Sequence, residues 1–207
     1  MKVTIFVEGG GDSKEQIVRC REGFRKLIEK AGFTRPKSPA ITACGGRGRA
    51  YDKFKTFAAI SDSGHPILLV DSEDPVNDVE EDPDSDAAWK HLKARDGWER
   101  PAGVGNDQAQ LMVTCMETWL MADQKALKDF FGQRLHTNAL LPLHNLETRN
   151  RHEVQEALQH ATRDCGKDRT YAKGEKSFKI LAELEPATLK EHLLHFRRFI
   201  ATLDLHL

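Results

Sequence analysis

The stretch Met1 to Gln16 leaves few folding choices. Val3, Ile5 and Val7 are β-branched and run up to three consecutive glycines, Gly9 to Gly11, which suits a central strand of a parallel sheet covered on both faces. Ser13 then stands at a helix start, with Gln16 at capping-box spacing, and Ile17, Phe24, Leu27 and Ile28 form an apolar stripe that ends near Gly32. Strand, turn and capped helix make one β-α unit. The strand ends on an acid, Glu8, and a second acid, Asp12, follows the glycines, where a backbone without side chains lets a phosphate or hydrated metal approach.

The pattern recurs. Ala40 to Cys44 reads as a short strand, and Gly45 to Arg49 as a turn into a helix through Phe54, Phe57 and Ile60. His65 to Asp71 is a continuous apolar run that also closes on an acid, which predicts a strand buried on both faces. The loop from Ser72 to Asp86 holds eight carboxylates and precedes a helix around Ala87 to Lys93. Gln108 to Cys115 reads as a fourth strand and Met116 to Asp123 as its helix. Four β-α steps predict an α/β fold with a mainly parallel four-stranded sheet flanked by helices.

Strand signals stop near Gln124. Helical patterns follow at Lys125 to Phe131, Arg151 to Asp164, Glu175 to Leu184 and Thr188 to Leu203. The expected organisation is an α/β domain over residues 1–123 and a helical C-terminal extension over 124–207 packed on it. Leu189, Leu193, Phe196, Ile200 and Leu203 form a helical stripe that most simply packs against the chain's own sheet, the alternative being a helix that docks a partner.

Composition narrows the function classes. Lys+Arg total 31 against Asp+Glu 32, so no global basic field marks a nucleic-acid binder, although a local basic groove beside an acidic site would average to the same balance. Cys20, Cys44, Cys115 and Cys165 make no CxxC pair and read as small buried residues. No stretch approaches the roughly 20 apolar residues of a membrane span, and the expected location is the cytoplasm. HExxH, GxSxG and the Walker Lys-Ser/Thr completion are all missing, which argues against a zinc protease, a serine hydrolase and a P-loop NTPase. His192 and His195 fit one helix face but have no acids at zinc-site spacing, so core or surface roles are expected for them.

In open α/β sheets, ligands bind at the carboxyl ends of the strands, where Glu8 and Asp71 both fall. Glu73 and Asp74 add oxygen donors, and an oxygen-rich set suits Mg²⁺ or Mn²⁺ better than zinc. Asp12 either joins this set or simply precedes the Ser13 cap. Glu117, directly after the fourth strand, either reaches the same crevice or faces solvent. Arg47 and Arg49 sit between glycines at a helix start and either clamp a phosphate or decorate a surface turn. Lys173, within Tyr171 to Lys176, either stabilises a phosphate or is a solvated lysine before a helix. The acidic loop is most simply a hydrated excursion; the alternative is a regulatory role in which its distal acids, Asp78 to Asp84, repel nucleic acid.

Glu8-Gly-Gly-Gly-Asp12 closing one strand and Asp71-Ser-Glu73 closing a later one resemble the TOPRIM fold of topoisomerases, bacterial primases and the overcoming-lysogenization-defect nucleases. The chain is similar as well to small stand-alone TOPRIM-like proteins encoded beside an ATPase in phage-defence loci, through Cys44 to Arg49, Val70 to Asp74, Met116 to Asp123 and Tyr171 to Gly174. The resemblance implies Glu8 as general acid/base or metal ligand, Asp12 as the additional nuclease-type acid, Asp71 and Glu73 as holders of Mg²⁺ or Mn²⁺, and Lys173 as the lysine of the nuclease branch. Glu73 stands where the family has a second aspartate. The implied function is a metal-dependent nuclease acting on DNA or RNA, controlled by an ATPase partner, with a homodimer left open. The rival expectations are a non-catalytic regulatory or binding subunit of an ATPase complex and, more weakly, a nucleotide-binding phosphotransferase.

Overall fold

The computed structural model describes residues 2–60, 64–76, 81–166 and 170–207. Its elements run β1 (Val3–Val7), α1 (Lys14–Lys30), β2 (Ala40–Ala43), α2 (Arg47–Ala58), β3 (His65–Asp71), α3 (Ala87–Asp96), β4 (Ala109–Met112) and α4 (Met116–Ala122). The helices α5 (Gln124–Phe131), α6 (Arg151–Thr162), α7 (Glu175–Glu183), α8 (Pro186–His192) and α9 (Leu194–His206) follow. All strand pairs are parallel, in the order β2-β1-β3-β4. This is the α/β sheet expected from the strand–helix alternation.

The period-two pattern of β1 and β3 sorts the core into two layers. Val3, Ile5, Val7, Ile67 and Leu69 face α1 and the C-terminal helices, packing with Phe24, Trp119, Phe196 and Leu203. Phe6, Leu68 and Val70 face α2 and α3, packing with Phe54, Trp89 and Leu92. The first layer runs without a break from β1 to α9, so the residues 124–207 complete the core that residues 1–123 begin. Every member of the Leu189–Leu203 stripe is buried in that layer, as its spacing indicated. All four cysteines are buried and free.

The Gly9–Gly11 turn also serves the packing of the fold. Gly9 and Gly45 exchange backbone hydrogen bonds of 2.8 Å in both directions, which ties the ends of β1 and β2 together. Gly10 has φ 90°, and a Cβ there would stand 2.9 Å from the Ile17 Cα. The glycines therefore let the turn lie against α1. Ser13 caps α1 as expected, its Oγ accepting from the Gln16 N–H at 3.2 Å.

Three features differ notably from the sequence pattern. The fourth strand is shorter, ending at Met112. The helix expected over Thr188 to Leu203 is two helices, because Leu193 is extended and the Glu147 carboxylate accepts from Leu194 N (2.9 Å) and His195 N (3.1 Å), starting α9 afresh. His192 and His195 consequently lie on different helices. Replacing Glu147 with Ala removes this cap and is expected to cost about 1–2 kcal/mol, read as a lower urea midpoint at unchanged m-value.

The third difference concerns the acidic loop. Asp78 and Glu80 lie outside the described residues, but Glu81 pairs with Arg197 and the carbonyls of Asp82, Pro83 and Ser85 accept from Arg198. Its second half is docked on α9. No helix among the described residues is long and apolar enough to cross a membrane.

Candidate metal centre

Strand β1 sits between β2 and β3, so the connections leave it in opposite directions and the crevice opens between the carboxyl ends of β1 and β3. Glu8 and Asp71 stand on those two ends. The β1–β3 register sets Val7 against Leu69, Glu8 N donates to Leu69 O at 2.9 Å, and Asp71 N donates to Glu8 Oε2 at 3.2 Å. Glu73 follows a turn in which its own φ is 69°, a left-handed backbone held by a 2.8 Å bond from its N–H to Thr114 O. Glu8, Asp71 and Glu73 each contribute a carboxylate oxygen, all within 4.8 Å of one another.

A fourth carboxylate, from α4, is linked to Asp71 through Lys173. Glu117 has 0% exposure; its Oε1 accepts from the Tyr171 hydroxyl at 2.8 Å, and its Oε2 has no hydrogen-bond partner. Tyr171 is held in turn by Ser177, at 2.8 Å. Asp71 Oδ1 accepts from Met116 N at 2.8 Å, which locks the aspartate to the start of α4. Lys173 places its Nζ 3.7 Å from Asp71 Oδ2 and 3.8 Å from Glu117 Oε2.

Crowding acids under cover makes their charge costly. Burial, and then the charge of Glu8, push the Asp71 carboxyl up to about 8, with Glu117 adding to the rise and Lys173 and the Met116 N–H opposing it. Burial likewise raises Glu8, against the opposing charges of Arg47 and Lys173. Burial would lower Lys173, but Asp71 and Glu117 outweigh it and hold the ammonium above its ordinary range.

Arginines surround the acids. Arg47 lies 3.6 Å from Glu8 Oε2, donates to the Asp71 carbonyl, and is clamped by Asp96 through contacts of 2.6 and 3.2 Å. Arg151 pairs with Glu73, and Arg95 stands 3.7 Å from Glu73, 3.0 Å from Asp74 and 2.7 Å from Asp96.

Of the residues singled out in the sequence, Glu8, Asp71, Glu73, Glu117, Lys173 and Arg47 come together. Asp12 does not: its side chain is 79% exposed and pairs with Arg49 outside the cluster. Arg49 is engaged with Asp12 on the surface, and Arg47 serves Glu8 and Asp96 within the protein. Glu117 faces the crevice, with the buried Trp119 and Leu120 behind it. Asp123 ends α4 and caps α5, accepting from Ala126 N at 3.0 Å. Asp96, Arg95, Arg151 and Tyr171 carry no motif that assigns them to a site; only Tyr171 lies in a stretch already notable, two positions before Lys173.

The sheet and its crevice define an α/β protein with a carboxylate cluster at the topological switch point. The chain belongs to the family described as Domain of unknown function (DUF4276), whose model matches residues 7–204. No curated protein and no solved structure matches it.

Proposed function

We propose that this protein is a divalent-metal-dependent phosphodiesterase that cleaves DNA or RNA, with Glu8, Asp71 and Glu73 holding Mg²⁺ or Mn²⁺. The observation that carries this reading is the convergence of those carboxylates on adjacent strand ends, within 4.8 Å, beside the Lys173 ammonium. The donor set fits such an ion: every donor is a carboxylate oxygen, and the fully buried Glu117, whose Oε2 makes no hydrogen bond, shares the Lys173 ammonium with Asp71. Bound there, a divalent ion neutralises phosphate charge and acidifies water.

The chain's own groups have separable tasks. Glu8, whose proton affinity burial raises above that of an ordinary carboxylate, is placed to exchange a proton at the scissile phosphate. Asp96 fixes Arg47, and Arg47 with the Asp71 N–H orients the Glu8 carboxylate. Tyr171 holds Glu117 so that Oε2 points toward Lys173. Lys173, 62% exposed, reaches from the acids toward solvent and can meet a non-bridging phosphate oxygen. The exposed Arg49 can exchange Asp12 for a backbone phosphate.

The strand-end placement of Glu8 and Asp71 also supports the TOPRIM-like reading of the fold. The role as effector of an ATPase-linked anti-phage system rests on the sequence resemblance alone. Purified protein incubated with plasmid, single-stranded DNA and transfer RNA, with and without Mn²⁺, provides the test. Mn²⁺-dependent cleavage is expected, lower by about 10²–10⁴-fold in Glu8→Gln, which keeps an acceptor for the Asp71 N–H. Equal cleavage by wild type and Glu8→Gln would sink the proposal.

One observation favours a second reading. Arg47, Arg95 and Arg151 already counterbalance Glu8 and Glu73, a self-neutralised arrangement suited to a non-catalytic binding or regulatory subunit. Under that reading Mn²⁺ neither binds the cluster in calorimetry nor supports cleavage.

A further inference from the structure

A second group of ligand-type side chains lies at the opposite end of β3. His65 opens the strand that Asp71 closes, so the two sites are about 20 Å apart at the rise of an extended strand. His65 meets Asp107, from the loop before β4, and His206, from the last turn of α9. The Asp107 Oδ2 lies 3.1 Å from His65 Nε2 and 2.6 Å from His206 Nε2. One donor atom from each residue falls within 4.8 Å of the other two. The side chains are largely covered, at 10%, 17% and 22% exposure for His65, Asp107 and His206.

We propose that His65, Asp107 and His206 form a binding site for a transition ion of the Zn²⁺ class, separate from the carboxylate cluster. Two imidazole nitrogens and one carboxylate oxygen are a borderline-soft set that prefers Zn²⁺ to Mg²⁺, and three protein ligands leave the fourth tetrahedral position to water. The second observation is His65 Nε2 itself. It is buried, and Asp107 Oδ2, although 3.1 Å away, is not aligned to hydrogen-bond with it, so this nitrogen is left without a satisfied partner in the fold. The backbone already holds two members in place: His65 N donates to Lys2 O at 3.0 Å, and the Asp107 carbonyl accepts from Gln110 Nε2 at 2.8 Å.

The imidazoles are stacked, with centroids 3.6 Å apart and planes at 21°. An ion must lie near the plane of each ring it binds, so loading the site turns His206, the most exposed member, edge-on and breaks the stack. The ion then joins the end of α9 to the amino edge of the sheet, across three elements distant in sequence.

The test is independent of nuclease activity. Metal-free protein titrated with Co²⁺ should show the visible bands of a tetrahedral ion at one equivalent, and Zn²⁺ should displace them. Zn²⁺ should also raise the Tm by about 3–5 °C for each tenfold excess over its Kd. Both responses should vanish in His206→Ala and in Asp107→Asn and persist in Asp71→Asn, which separates this site from the carboxylate cluster. Wild type without bands or Tm shift overturns the proposal, as do responses retained in His206→Ala or Asp107→Asn.

Discussion

Asp71→Asn should make the metal-free protein more stable at pH 8 while abolishing its stabilisation by Mn²⁺. The Asp71 carboxyl is pushed up to about 8 in the fold, against about 3.9 for an unfolded aspartate. A raised folded pKa means the native state holds the proton more tightly. The contribution is complete below about pH 4 and is lost as pH rises toward 8. Asparagine escapes that loss, because it is neutral throughout and its Oδ1 can still accept from Met116 N. The gain at pH 8 should be on the order of 2–3 kcal/mol, less than full linkage would give because Asp71 titrates together with Glu8 and beside Lys173. Mn²⁺ should reverse the ranking, raising the wild-type Tm more at pH 8 than at pH 6, where protons compete for the acids. Thermal melts of both proteins at the two pH values, with and without Mn²⁺, decide the matter. Wild type that is the more stable at pH 8 without metal would refute the electrostatic account of the cluster.

Arg198→Met should be the more damaging change to folding. Arg198 is buried at 3% exposure and donates to the carbonyls of Asp82, Pro83, Ser85, Asn106 and Ala109 and to Gln110 Oε1. Methionine keeps the apolar stem but offers none of these hydrogen bonds, so several covered carbonyls lose a donor at once. The expected cost is about 3–5 kcal/mol, visible as a large fall in the urea midpoint. A loss below about 1 kcal/mol would show that water replaces the guanidinium at little cost. Arg197→Met is the comparison: it removes a surface ion pair with Glu81 and one hydrogen bond to the Lys190 carbonyl, expected to cost about 1 kcal/mol together.

These two residues differ in how far the sequence reveals them. Asp71 ends an apolar run, and its position at a strand terminus follows from local pattern. Arg198 looks like one of many surface charges, since its partners are more than eighty positions away. The same contrast holds for α9: its apolar stripe is visible at helical spacing, while its start depends on Glu147, 47 positions before Leu194. Likewise the Asp96 clamp on Arg47 joins residues 49 apart.

Periodicity and terminal residues are local properties of the chain, and they specify the β-α alternation, the two buried strands and the acids that close them. Hydrophobic burial enforces that pattern wherever the strands pair. The order β2-β1-β3-β4 is what sets Glu8 beside Asp71, while packing of the helices brings Glu117 from α4 and Lys173 from the helical half, and leaves Asp12 with Arg49 outside. It also assigns the glycine turn to the closure of two strand ends. Charged side chains choose partners by distance through space, and those distances exist only after the strands and helices have packed.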